Sequence, residues 1–221
     1  MMSKDMNMQF DRAAAYARQR LESELPSELR YHGAHHTIDD VVPAARRLAD
    51  AHELSPEDRM ILLTAAWYHD LGFIERYDQN EVFAVKIAQA SLGEFGYTPE
   101  QIERVGRVIL ATELSRTPTT LLEEIMVDAD LDSLGRTDMV TVGLSLRREE
   151  EIFRAKYLSD EAWFREEIGF LRTHRYHTLP QRRYRNPGKV RNFLYFCRML
   201  MLEQQPVPSQ TASHSQSDEA P

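Results

Sequence analysis

Repeated helix-start signals are the feature that most constrains the fold of this chain. Ser55-Pro56-Glu57-Asp58 combines an N-cap serine, a proline at the first helical position and acids in the first turn. Thr98-Pro99-Glu100-Gln101 adds a glutamine suited to a capping box. Thr117-Pro118 and Ser159-Asp160-Glu161 are further starts, and strand-like alternation is nearly absent. These signals predict an all-α helical bundle.

Apolar residues at helical spacing mark the inner faces of these helices. The segment from Met60 to Tyr68 is apolar on nearly every side, which predicts a central, buried helix that Gly72 stops. The apolar residues from Ile38 to Leu48 predict an earlier helix with a kink at Pro43. Two more helices are predicted over residues 81–95 and 138–157.

The composition is that of a globular protein without a membrane span. The chain has 221 residues, 42% of them hydrophobic, and no run approaches the ~20 apolar residues that a span needs. The N-terminal segment has no apolar signal-peptide core, and the single Cys197 excludes an intrachain disulfide and a thiolate zinc cluster. A cytoplasmic location is therefore expected, with no membrane partner.

The charge distribution bears on the partners of the protein. A net charge of −8 disfavours general nucleic-acid binding, although residues 172–191 carry seven Arg and Lys and no acid. This basic segment suits a small anion, and a solvated basic face is the competing interpretation. A role in RNA binding is a weaker third interpretation, against which the acidic whole argues.

A histidine and an aspartate stand side by side in the apolar stretch AAWYHDLGF, as His69 and Asp70. Burial of a carboxylate costs several kcal/mol unless a partner offsets the charge. The pair therefore either ends its helix at the surface or binds something. Two other clusters offer partners. They are His32, His35 and His36 in YHGAHHTIDDVV, and Asp128, Asp130 and Asp132 in VDADLDSLG.

The neighbouring residues indicate which of the three distal acids is the better candidate for a ligand. Asp130 lies on an apolar strip with Met126, Val127 and Leu134, whereas Asp128 has acidic neighbours and is interpreted as a surface acid. An apolar-face Asp, a His-Asp pair and a His at a helix start together make a site for one of Mn, Fe, Co, Ni, Zn or Mg. Each piece alone is explained as well by a hydrogen-bonded core histidine or a solvated acidic turn.

The order His36, His69-Asp70, Asp130 resembles that of the HD superfamily of metal-dependent phosphohydrolases. The resemblance covers roughly residues 31–136, and the region to about residue 202 resembles a C-terminal helical extension of one branch. It implies a helical-bundle core whose metal ligands are these four residues. The ligand falls on His36 because it precedes Thr37. Periodicity alone leaves His35 open, since His35 is in register with Ile38 and Val42. The implied organisation is an N-terminal helix (1–30), a metal-binding core (31–136), a helical extension (137–203) and a disordered tail (204–221).

The chain departs from the two-metal members of that superfamily. Asn80-Glu81 and Ala111-Thr112-Glu113 stand where relatives carry further histidines, and Phe73 occupies the position of a catalytic glutamate found in some single-metal members. A single divalent ion is therefore expected. His174 and His177 are interpreted as part of a basic turn that enters the last helix.

The resemblance implies a phosphohydrolase, a phosphomonoesterase or phosphodiesterase, acting on a small phosphorylated molecule such as a nucleotide. Asp70 would be both ligand and base. Candidates for proton transfer are His32, His35 and Glu113. Candidates for holding phosphate are Arg136, Arg76, Arg147 and Lys189. The alternative is a metal- and nucleotide-binding module with little turnover. A homodimer is compatible with the frequency of dimers among proteins.

Overall fold

The structure, a computed structural model, describes residues 8–204, and this part of the chain is helical without a strand. The all-α prediction is confirmed. The α-helices of the described residues are α1 (Phe10–Glu24), α2 (Val42–Ala51), α3 (Pro56–Tyr68), α4 (Asn80–Ser91), α5 (Pro99–Leu110), α6 (Leu121–Asp130), α7 (Met139–Phe153), α8 (Asp160–Thr173) and α9 (Leu179–Glu203). Most of the predicted tail, residues 205–221, lies outside the described residues. Within residues 8–204, no helix is long and apolar enough to cross a membrane.

Three of the four predicted helix starts are confirmed. The side chains of Ser55 and Ser159 accept the backbone N–H groups of the third residue beyond them, and Thr98 forms the capping box with Gln101. The prediction at Thr117-Pro118 is wrong, because α6 begins later and Thr120 is its N-cap. The carboxylate of Glu123 accepts hydrogen bonds from both the backbone and the hydroxyl of Thr119, which holds the preceding residues in a loop.

The central helix α3 is buried along its length, but Gly72 does not stop it. The helix ends at Tyr68, and Gly72 lies in a 3₁₀ turn, Leu71–Ile74. A Cβ at Gly72 would overlap the backbone carbonyl of Asn80 at the start of α4. The glycine therefore serves close packing of the turn against α4, which brings α4 next to the His69-Asp70 pair.

The predicted kink at Pro43 is a wide π-helical turn, His36–Val41, that runs into α2. Pro43 lies in the first turn of α2 and has no N–H to donate to a preceding carbonyl. A π turn changes the rotation of each residue about the helix axis, and such turns are common at functional sites. Here it buries His36 and Thr37 and leaves His35 exposed.

The buried apolar residues form two clusters. The larger runs from Met8 to Ala129 and is built around α3, and the smaller combines Leu134 and Met139 with residues of α8 and α9, including Trp163 and Phe196. The segment between Asp130 and Met139 connects the two clusters. The candidate site lies at this junction.

Two buried acids bind α9 to that junction. The burial of one of them, Asp128, shows that its interpretation as a surface acid was wrong. This side chain is fully buried, and it accepts hydrogen bonds from the backbone of His177 and from the backbone and hydroxyl of Thr178. Asp132 is also buried and accepts from Arg185 at 2.6 Å and from Arg47 at 2.6 Å.

Part of the basic segment docks against neighbouring backbone, while five of its seven cations stay exposed to solvent: Arg172, Arg175, Arg182, Arg183 and Arg191. Arg182 donates to the carbonyls of Tyr176 and His177, and Arg191 donates to the carbonyl of Arg136. His174 and His177 lie in the turn before Thr178, the N-cap of α9, as predicted. With Arg182 and Arg191 bound to the protein's own acceptors, this arrangement does not support the interpretation of the segment as an RNA-binding surface.

Candidate metal centre

Three side chains from distant parts of the chain converge at the junction of the two clusters. His36, His69 and Asp130 each present one ligand atom, and these atoms all lie within 4.8 Å of one another. His36 Nε2 is 3.0 Å from Asp130 Oδ1, which in turn is 3.6 Å from His69 Nε2. Asp70 Oδ2 lies beside the group, 3.2 Å from His69 Nε2 and 3.8 Å from His36 Nε2. The group could bind a metal ion.

The donor set fits a cation on two observations. His69 donates from Nδ1 to the carbonyl of Ala66 at 2.9 Å, so Nε2 is the ring nitrogen that faces the acids and can bind a cation. His69 Nε2 and Asp70 Oδ2 are buried, and among the described residues neither has a hydrogen-bond partner. Buried polar atoms seldom lack a partner, so two of them facing one point indicate a missing ligand.

Local structure explains how each ligand reaches this point. His36 opens the π turn, and Asp130 is the last residue of α6. His69 follows the last residue of α3, and the 3₁₀ turn after Asp70 points both side chains of the pair to the same side. A helix end releases two adjacent side chains from the diverging directions that a continuing helix would give them.

Mutual charge offsets the cost of burying these groups. Burial raises the pKa of Asp70 and Asp130, but the neighbouring imidazoles outweigh it and hold both pKa values below the ordinary range. Burial likewise opposes protonation of His69, and the two carboxylates raise its pKa well above the usual value. The cluster is thus set to stabilise positive charge at its centre.

A second buried pair lies next to the ligands. His32 Nδ1 is 2.5 Å from Oε1 of Glu149, and that carboxylate also accepts the backbone N–H groups of Tyr31 and His32 and the hydroxyl of Tyr77. Glu149 is fully buried. Burial lowers the pKa of His32, but the hydrogen bond to Glu149 and the charges of Asp70, Glu149 and Asp130 together outweigh it and raise the pKa overall. The pairing leaves His32 Nε2 as the free ring nitrogen.

A cavity of about 260 Å³ opens from the ligands toward the C-terminal helices. His32, His69, Asp70 and Asp130 form its polar end. Its remaining wall is largely apolar, and it includes Phe73, Tyr77, Leu114, Leu134, Met139, Val142, Leu146 and Phe170. A concave, mostly apolar pocket with a few convergent polar groups is typical of small-molecule sites.

The residues predicted to hold phosphate do not line this cavity. Arg136 is paired with Asp40 and Asp138, and Arg147 with Asp160. Lys189 is buried against the carbonyl of His174, and Arg76 is exposed. These placements do not support the four predicted roles. The cation on the cavity wall is Arg154, which the sequence reasoning missed because nothing in its local pattern distinguishes it from a surface arginine.

Only some of the predicted proton-transfer residues line the cavity. His32 and Asp70 line the cavity, whereas His35 is exposed and outside the ligand group. Glu113 is paired with Arg116 and does not line this cavity. Glu81, at the start of α4, does line it, and burial raises the pKa of its carboxyl.

A second cleft, of about 310 Å³, meets the cavity at the metal centre. The two share Thr112, Leu114, Asp130, Leu131 and Phe170. The wall of the second cleft carries Arg175, His177, His174 and the pair of Arg116 with Glu113. Burial and the charge of Lys189 lower the pKa of His174 to about 3, so Arg175 supplies the positive charge of this cleft that no carboxylate of the described residues offsets. We call the first cavity the apolar arm and the second cleft the basic arm, and Asp130 lies between the two.

Comparison with known proteins gives one similarity, which concerns the fold. No family model and no curated protein matches the sequence. The structure is similar to the crystal structure of Bacillus subtilis YpgQ in complex with ADP, with a TM-score of 0.62 and 18% sequence identity. The similarity covers 91% of this chain and 98% of the YpgQ chain. At this identity the likeness establishes a shared helical fold.

Proposed function

We propose that the protein is a metal-dependent phosphohydrolase of the HD superfamily that acts on a nucleotide. The observation that carries the proposal is the convergence of His36, His69 and Asp130, with unsatisfied atoms of His69 and Asp70 facing the same point. The four residues follow the order and the local contexts of the superfamily's ligands. The ligand set indicates one divalent ion, with Mn, Fe, Co, Ni, Zn or Mg all compatible with mixed imidazole and carboxylate donors.

The surroundings of the site support a nucleotide as the substrate. The apolar arm offers aromatic and aliphatic surfaces for a planar base, and the basic arm offers Arg175, which is exposed and has no ion-pair partner within residues 8–204, for a phosphate group. The similarly folded YpgQ was crystallised in complex with ADP, which agrees with this assignment. The net charge of −8 favours a small anion over a long polyanion.

The chemistry can be assigned to groups around the centre. His36, His69, Asp70 and Asp130 would hold the divalent ion, which would supply Lewis acidity and lower the pKa of water at the site. Asp70 Oδ2 has no hydrogen-bond partner among the described residues and is placed to accept a proton. His32, which Glu149 orients through Nδ1, is placed to donate a proton from Nε2 to a leaving oxygen in the cavity. Arg154 has its guanidinium at the cavity wall, where it pairs with Asp78 and Glu150, and it would have to exchange these partners to bind a phosphate.

A second candidate function is a nucleotide-binding module with little turnover. Phe73 occupies the position of the catalytic glutamate of some relatives, and its ring stacks on His32 at a centroid distance of 4.3 Å. This contact restricts the histidine on its cavity side. The alternative predicts bound metal and nucleotide affinity without release of phosphate.

Phosphate and pyrophosphate release from a panel of nucleotides, with added Mn²⁺, separates the two functions. The hydrolase proposal expects release by the wild-type protein and loss of at least about 100-fold in Asp70→Asn, which keeps the shape of the side chain but removes its charge. Asp50→Asn, at an exposed carboxylate of α2, is the matched control and should leave the rate unchanged. Nucleotide binding without release in the wild type would favour the binding module.

A further inference from the structure

Glu167 is a cavity-lining carboxylate that the metal centre does not use. It lies on α8 and lines the apolar arm together with Met139, Val142, Leu146 and Phe170. Its neighbours Glu150 and Glu166 both pair with Lys156, at 2.9 Å and 2.7 Å. No ion pair within residues 8–204 involves Glu167 itself. A carboxylate that lines a cleft without an ion-pair partner is a candidate for ligand binding.

The backbone makes room for this carboxylate at the cavity. A Cβ at Gly143 of α7 would lie 3.3 Å from Glu167 Oε1 and 3.3 Å from Cζ2 of Trp163. The glycine thus lets Glu167 and the Trp163 indole approach α7 closely. Burial raises the pKa of Glu167 to about 7, a hydrogen bond from the Trp163 side chain acts against this rise, and the charges of Glu166 and Glu150 add to it. Packing and the Trp163 contact hold the carboxylate in position, and its remaining lone pairs are available to a ligand.

We propose that the apolar arm is a base subsite and that Glu167 selects guanine by accepting hydrogen bonds from its N1–H and 2-amino groups. The inference rests on the proposed function, since it places the phosphates of the same nucleotide at the metal centre. A carboxylate offers two adjacent acceptors, and guanine is the common base whose edge presents two adjacent N–H donors. Adenine presents a ring nitrogen acceptor beside its amino group, which repels one carboxylate oxygen.

The surroundings of Glu167 agree with a planar ligand. Met139, Val142 and Leu146 of α7 form an apolar surface on one side, and Phe170 of α8 adds an aromatic ring near the metal centre. Base stacking on such surfaces is tolerant of sequence, so discrimination falls to the carboxylate. The pairing with guanine also offsets the cost of burying this acid, because two N–H donors favour its ionised form.

Guanosine and inosine 5′-monophosphates are the matched probes, since they differ only in the 2-amino group. Isothermal titration of the Mn²⁺-supplemented protein should show tighter binding of the guanosine nucleotide by about tenfold or more. Glu167→Gln should abolish most of this preference, because an amide replaces one acceptor with a donor. Glu166→Gln is the control on the same helix. It does not line the cavity, so the preference should remain.

The outcomes separate this inference from the proposed function. Equal binding of the two nucleotides, a preference for inosine, absence of binding, or a guanosine preference that survives Glu167→Gln would each overturn the base assignment. Release of phosphate and pyrophosphate from the nucleotide panel, measured on the same protein preparations, tests hydrolysis independently. Guanosine-selective binding without hydrolysis would support the base subsite and contradict the hydrolase proposal. Hydrolysis without a preference for guanosine would support the hydrolase proposal and contradict the base subsite.

Discussion

His36 Nε2 lies 3.0 Å from Asp130 Oδ1, which joins the first and last members of the candidate ligand set across the core. The contact requires α6 to end beside the π turn, and α3 to end between them. The position of these helix ends therefore decides whether the site forms. Substitutions at these helix ends, at the groups around the site and at the site itself test this arrangement.

Substitution of Asp132 should destabilise the junction that carries Asp130. Asp132 is buried and accepts from Arg47, Arg185 and Gln181. Asp132→Asn removes the charge and leaves two guanidinium groups without it, so we expect a loss of about 2–4 kcal/mol in the free energy of unfolding. Urea denaturation followed by circular dichroism measures it. Asp50→Asn, which breaks an exposed pair with Arg59, should cost less than about 0.5 kcal/mol. Equal effects would contradict the account.

Two helix-interior glycines should respond in opposite ways to alanine. A Cβ at Gly188 of α9 would overlap the backbone carbonyl of Gly135, in the turn that follows Asp130, whereas a Cβ at Gly169 of α8 has no atom within 4 Å. Gly188→Ala should lower the free energy of unfolding by about 3 kcal/mol or more. Gly169→Ala should raise it by about 0.5–1 kcal/mol, since alanine favours the helix. Thermal unfolding of both variants checks the contrast, and a well-tolerated Gly188→Ala would refute the close packing.

Glu149 should act on catalysis through His32. The carboxylate holds the imidazole by Nδ1, and Glu149→Gln weakens that hold without emptying the space. We expect kcat of the proposed hydrolysis to fall about 10- to 100-fold, with a shifted pH profile and unchanged metal content. Glu151→Gln, near it on α7 and paired with Arg148, is the control and should change neither. A variant that lost metal together with activity would assign Glu149 to the integrity of the site instead.

Glu167 should make stability depend on pH. Its pKa rises from 4.5 to about 7 in the folded protein, so the folded state holds the proton more tightly than the unfolded chain. The contribution to stability is present at low pH and is lost as the pH rises through about 7. Glu167→Gln should therefore raise the free energy of unfolding by about 1–2 kcal/mol near pH 8 and change it little near pH 4.5. Glu166→Gln should lack this pH dependence, and a Glu167→Gln effect that is equal at both pH values would contradict the assignment.

The sequence was sufficient for the fold class, because that depends on local patterns, whereas the set of candidate ligands came from the resemblance to the HD superfamily. Caps, apolar spacing and the His-Asp pair are each encoded within a few residues. The choice between His35 and His36 as the inward residue could not be made from local spacing. A regular helix would turn His35 inward with Ile38, and the π turn before Pro43 changes the register so that His36 is buried instead.

The residues that sequence reasoning misplaced depend on contacts between distant segments. Asp128 has acidic neighbours in sequence, but its partners are in the turn before α9. Glu149 lies in the charged run RREEE, where one of three glutamates turns inward to meet His32. Arg154 and Glu167 reach the cavity only because α7 and α8 pack over the metal centre. No local pattern carries that information.

Metal content by mass spectrometry tests the central claim most directly, on untagged protein purified without chelators and then supplied with Mn²⁺. The adjacent histidines provide the comparison, since His36 is buried in the ligand group and His35 is exposed. The account predicts about one metal ion per chain in the wild type and in His35→Ala, and loss of the ion in folded His36→Ala. Metal retained in His36→Ala, lost in His35→Ala, or absent from the folded wild type would contradict it.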